Sequence, residues 1–105
     1  MAQFDVFRNP GRQREVIPFV VVLQNARFDR AGTRFVAPLV RSEAARVAEH
    51  HLAPRFTIDG AEVILDVFNL ATLPADRLGR LVVSLADEES RAKLIRALDA
   101  FISQA

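Results

Sequence analysis

The side chains able to do chemistry are few, and their spacing argues against catalysis. The two histidines, His50 and His51, are adjacent. Neighbouring residues face different directions on a helix or a strand, so the pair is badly placed to share one metal ion, and a solvated pair is the better reading. Asp87, Glu88 and Glu89 form a run of carboxylates that acid–base chemistry could use. They stand where a helix begins, however, and helix starts attract negative charge, so capping explains them better. No glycine-rich phosphate loop and no nucleophile–base pair occurs at an interpretable spacing. Cysteine is absent, which removes disulfides, thiolate catalysis and thiolate metal sites and suits a reducing compartment. The expectation is a protein that is not an enzyme, holds no metal and no cofactor, and acts by binding.

Charge narrows the partners. Fourteen Lys and Arg stand against 13 Asp and Glu, for a formal net charge of +1. The arginines are scattered, so no long-range positive field draws the chain to phosphate backbones, and autonomous nucleic-acid binding is not expected. Hydrophobic residues make up 50 % of the chain. That is high for a chain of this size, which must expose much of its surface, and it predicts apolar area hidden in a subunit interface. At 105 residues, one domain spanning 1–105 is expected. The opening Met1-Ala2-Gln3-Phe4-Asp5 shows neither a basic start nor an apolar stretch. The run Val16 to Leu23 is broken by Pro18 and falls far short of the ~20 residues that span a bilayer. A cytoplasmic protein with no membrane partner is expected.

The elements that position these residues read mainly as strands. Gln3 to Phe7 alternates and is broken by Asn9-Pro10-Gly11. Pro18 to Gln24 is β-branched and almost continuously apolar, the pattern of a central strand buried on both faces. Asn25 to Gly32 is a polar loop in which Phe28 stands out. Such an aromatic more often folds back onto the core, with a role as an exposed binding anchor the alternative. Thr33 to Val40 is a third strand, where Pro38 removes a ladder donor and marks an edge or a bulge. Ser42 to Leu52 reads as a short helix or an irregular crossover. Arg55 to Leu65 is a hairpin whose Asp59-Gly60 supplies the positive φ angles of a tight turn. Asp66 to Leu70 extends its second arm, Leu73-Pro74-Ala75-Asp76 interrupts, and Leu81 to Leu85 forms a last short strand. A helix then starts at Asp87, with Leu94, Ile95, Leu98, Phe101 and Ile102 on one apolar stripe and Lys93, Arg96 and Asp99 elsewhere. That stripe must pack on the sheet or on a partner subunit.

With the elements in this order, several stretches resemble the CcdB family of bacterial toxins. They are Gln3-Phe4-Asp5-Val6-Phe7-Arg8-Asn9, Arg34-Phe35-Val36-Ala37-Pro38-Leu39, Leu52-Ala53-Pro54, the Ala71-Thr72-Leu73-Pro74 turn and Ala97-Leu98-Asp99. They cover almost the whole chain in the family's order. The resemblance implies a mainly β (α+β) fold: an antiparallel sheet of SH3-like barrel type with a small β wing and one C-terminal helix. It also implies a cytosolic homodimer that is the toxin of a type II toxin–antitoxin pair. Such a toxin binds the A subunit of DNA gyrase and traps the enzyme with its DNA cleaved. A CcdA-like antitoxin neutralises it through a disordered segment, and DNA is contacted only indirectly, when the joint complex represses its operon.

The same resemblance assigns a gyrase-binding patch to Arg27, Phe28, Asp99, Ile102, Ser103, Gln104 and Ala105. The family ends its helix in a Trp-Gly-Ile or similar tail, and here those positions are Ser103, Gln104 and Ala105, without the aromatic anchor. Two alternatives to gyrase poisoning therefore stay open. One is a scaffold that has lost toxicity and serves as an antitoxin-binding co-regulator. The other is a toxin that cleaves mRNA, for which the scattered arginines and the paired histidines offer little support.

Overall fold

The computed structural model describes residues 2–44 and 53–102. Within them the chain forms strands β1 (Asp5–Arg8), β2 (Phe19–Val22), β3 (Thr33–Arg41), β4 (Arg55–Ile58), β5 (Ala61–Leu65), β6 (Ala71–Pro74) and β7 (Leu81–Ser84), then helix α1 (Glu88–Ile102). The strands form one antiparallel sheet in the order β4-β5-β3-β2-β1-β7, with β6 branching onto β3. The sheet curls into a half-barrel, and the fold is mainly β, of α+β class, as the resemblance implies.

The strand β2 explains the shape. Phe19 and Val21 join an inner cluster with Phe4, Val6, Leu39, Leu65 and the helix residues Leu94 and Ala97. Val20 and Val22 join an outer cluster with Phe7 and Val36, covered by Leu73 and Leu78. A strand apolar on every residue can be satisfied only by cover on both faces. The helix supplies one cover and the segment around β6 the other.

Where β6 lies, the chain departs from its sequence reading. Ala71 to Pro74, expected as a turn and an interruption, is a strand pairing with the first half of β3, Thr33↔Pro74 through Val36↔Ala71. The second half of β3 pairs with β5, Leu39↔Leu65 through Arg41↔Val63. This corrects Pro38 as well. It lies in an interior strand, opposite Val20 of β2, in the gap where the partner changes from β6 to β5. Its carbonyl there accepts from the Asp66 amide at 3.0 Å, so its missing N–H faces the one point where no ladder bond is required.

The remaining differences are local. Asp66 does not extend β5, because its carboxylate caps the single 3-10 turn Val67–Asn69, accepting from the Phe68 amide at 2.9 Å. Phe4 does not belong to the alternation of β1: its φ is 69°, a region that non-glycine residues seldom adopt. Asp59 and Gly60 have φ of 50° and 79°, the pair of left-handed residues that the hairpin turn requires. Ser42–Ala44 is a 3-10 turn, and the rest of the expected helix or crossover lies outside the described residues, as do His50 and His51.

Candidate functional site

Asp87 starts the helix as its sequence suggests. Its Oδ2 accepts from the Ser90 amide at 3.0 Å, and this bond to Ser90 holds the carboxyl below its ordinary pKa by favouring the charged form. The apolar stripe then divides. Leu94 and Ala97 are buried against the sheet and Leu98 is packed beside them, whereas Ile95, Phe101 and Ile102 stay largely exposed, Ile102 at 68 %. Lys93, expected to point away, reaches the carbonyl of Arg55 at 2.8 Å and lies 4.6 Å from the centre of the Phe56 ring. Its ammonium thus ties the middle of the helix to the outermost strand.

The exposed part of the stripe does not stand alone. Phe101 meets Phe68 edge to face, with ring centres 5.4 Å apart at 88°, a favoured geometry for aromatic pairs. Phe68 is presented by the turn that Asp66 caps, and it remains 55 % exposed. Ile95, Leu98, Asp99 and Ile102, with Gln3 and Phe4, line a shallow groove of about 250 Å³. The groove owes its floor to the left-handed Phe4. That conformation is fixed by backbone bonds to Val22 and Leu85 at 2.7 and 2.9 Å, and it turns the ring into the core beneath the Arg91 guanidinium, 5.4 Å away. Arg91 also donates to Gln3 Oε1 at 3.1 Å, and Gln3 Nε2 donates to the carbonyl of Leu23 at 3.1 Å. Gln3 therefore links the helix to the end of β2, where the loop carrying Arg27 and Phe28 begins.

In that loop Asn25 Oδ1 accepts from the Arg27 amide at 3.0 Å, opening a 3-10 turn over Ala26–Phe28. Phe28 does not fold back onto the core: it is 57 % exposed, which corrects the structural reading of this aromatic. Of the residues assigned to the patch by resemblance, Asp99 and Ile102 share one groove and Arg27 and Phe28 share one turn. Ser103, Gln104 and Ala105 lie outside the described residues. Gln3, Phe4 and Phe68 were not anticipated here, because distant partners bring them to the site; only Phe68, a large aromatic after a strand, left a signal in the sequence.

Among the described residues no group of three or more His, Cys, Asp or Glu is placed to hold a metal ion, and no helix is long and apolar enough to cross a membrane. What stands out is an aromatic pair, two isoleucines and a groove at the end of one helix. The family model for CcdB protein matches residues 3–103. The chain belongs to the CcdB family. Membership points to the toxin of a toxin–antitoxin pair. Among curated proteins no sequence matches it. The exposed helix end and the Phe28 turn both present apolar side chains outward.

Proposed function

We propose that this CcdB family member is the toxin of a type II toxin–antitoxin pair, acting in the cytoplasm as a homodimer on the A subunit of DNA gyrase. It works by occupying a surface and trapping the enzyme with its DNA cleaved, and it breaks no covalent bond itself. The observation that carries this reading is the apolar helix end: Phe101 and Ile102 remain exposed beside Phe68. Leaving three large side chains in water is unfavourable by about 1 kcal/mol or more each, and a partner relieves it. A two-fold toxin presents the same patch to each half of a two-fold target. A CcdA-like antitoxin neutralises it by folding a disordered segment onto the dimer, and DNA is reached only through that joint complex.

A second reading is favoured by one sequence feature. Ser103, Gln104 and Ala105 replace the bulky tail of the family, and an aromatic anchor commonly carries about 2 kcal/mol or more of an interface. On this reading the chain keeps the fold and the antitoxin and has lost gyrase poisoning. Expression without the antitoxin in a bacterium separates the two. Growth arrest with accumulating cleaved gyrase–DNA complexes is the expected result. Arrest with degraded mRNA would replace the proposal with a nuclease. Unimpaired growth would favour the inert scaffold, and Ser103→Trp, Gln104→Gly and Ala105→Ile together would then test the tail.

A further inference from the structure

The start of strand β3, where the loop from β2 ends, carries an arginine that the fold alone gives no reason to bury. Arg34 is only 6 % exposed, and a buried guanidinium is costly unless its donors are satisfied. Its Nη1 donates to the carbonyls of Ala31 and Thr33, and its Nη2 to that of Asp29 at 2.7 Å. All three acceptors lie in the segment that brings the chain back from the Phe28 turn to β3. From the other side, Gln24 Nε2 donates to the carbonyl of Phe28 at 3.0 Å while its Oε1 accepts from the Phe35 amide at 3.1 Å. The backbone bonds Phe28 to Asn25, Asp29 to Ala26 and Ala31 to Phe28, each 3.0 Å, complete the frame. The backbone of a short loop is thus tied inward, and the large apolar side chain it leaves outward is Phe28.

From this arrangement we infer that Arg34 is a positioning residue: it holds the Phe28 turn rigid, with the ring already in its docking orientation, so that binding need not order the loop. The inference rests on the proposed gyrase-binding role of this loop and extends it to residues that touch no partner. An exposed aromatic on a flexible loop loses conformational freedom when it binds, and holding it in place beforehand removes that cost.

The test uses Arg34→Met, which keeps the buried volume while removing every donor to the three carbonyls. A buried charge replaced by an apolar residue of similar size is often neutral for folding, and the thermal midpoint checks this. Gln24→Ala is the second variant, loosening the same loop from its half-exposed side should Arg34→Met fail to fold. In both, amide exchange in residues 26–33 is expected to quicken by at least about tenfold. Affinity for purified gyrase A subunit is expected to fall by about tenfold. In a Phe28→Ala background neither substitution should weaken binding further, since the ring they position is gone. If Phe28→Ala weakens binding but Arg34→Met and Gln24→Ala do not, or if their losses persist unchanged in that background, the inference is overturned and the gyrase reading stands. If Phe28→Ala itself binds like the native chain, the gyrase reading of the loop fails and the positioning role falls with it.

Discussion

Replacing Phe101 by alanine offers the sharpest test of the helix end as the gyrase-binding surface. Phe101 is 46 % exposed within its own protomer, and a phenylalanine presents roughly 200 Å² in all. Covering the exposed share removes about 90 Å² from water, which at about 25 cal/mol per Å² is about 2 kcal/mol. In a two-fold interface the loss occurs in both protomers, so about 4 kcal/mol is removed, roughly a thousand-fold in the dissociation constant. Part of the change falls inside the protomer, because the edge-to-face contact with Phe68 contributes about 0.5–1.5 kcal/mol of its own. Urea denaturation beside a titration of purified gyrase A subunit separates the two effects. Unfolding reports the contact within the protomer, and the affinity for gyrase reports the interface. Leu81→Ser is the control, since Leu81 is also exposed but lies on β7 at the far edge of the sheet. A native chain that leaves gyrase unbound at tens of micromolar would refute the reasoning. So would a Phe101→Ala chain whose affinity for gyrase falls by less than about tenfold, or by no more than that of Leu81→Ser.

Three further outcomes are expected. A β-carbon on Gly79 would lie 2.8 Å from the carbonyl oxygen of Arg8, where Arg80 also accepts from the Arg8 amide at 2.9 Å, so Gly79→Ala must push β1 and β7 apart and lose about 1–3 kcal/mol in urea denaturation. Asp87 has its carboxyl pKa lowered from 3.8 by its bonds to Ser90, so its cap stabilises the folded state above that ordinary value and is lost as pH falls through the lowered one. The gap in melting temperature between the native chain and Asp87→Ala should therefore be present at neutral pH and close in acid. Leu94 is fully buried between helix and sheet, and Leu94→Ala should cost about 2–5 kcal/mol by the same denaturation assay.

Features legible in the sequence are those whose cause is local. The Asp59-Gly60 turn needs two positive φ angles and gets them from two adjacent residues; the Asp87 cap acts within one helical turn. Burial of β2 on both faces is legible because Phe19-Val20-Val21-Val22 has no polar side to turn outward. Strand β6 was hidden because its residues are mostly exposed and Leu73 alone packs inward, so no alternation marks it and only its pairing with the distant β3 defines it. The left-handed Phe4 was hidden for a similar reason, since Val22 and Leu85 hold it there. At the site, helical spacing gave the exposed side of the stripe, but nothing in it foretold that Gln3 and Phe68 would flank that stripe.

Scaffold and contact surface are built from different residues here, and that separation has a functional consequence. Leu94, Ala97 and Phe4 fix the helix on the sheet, while Arg34 and Gln24 fix the loop. The outward residues Arg27, Phe28 and Ile102 are exposed, and substitutions at such positions usually change stability by less than about 0.5 kcal/mol. The fold therefore tolerates changes at the tips that a bound partner would feel in full. A chain can keep the CcdB scaffold over residues 3–103 while its target affinity is reset at a handful of exposed positions. For this reason the match in fold and the action on gyrase are separate propositions, and the decisive comparison is between variants that disturb the frame and variants that alter only what the frame presents.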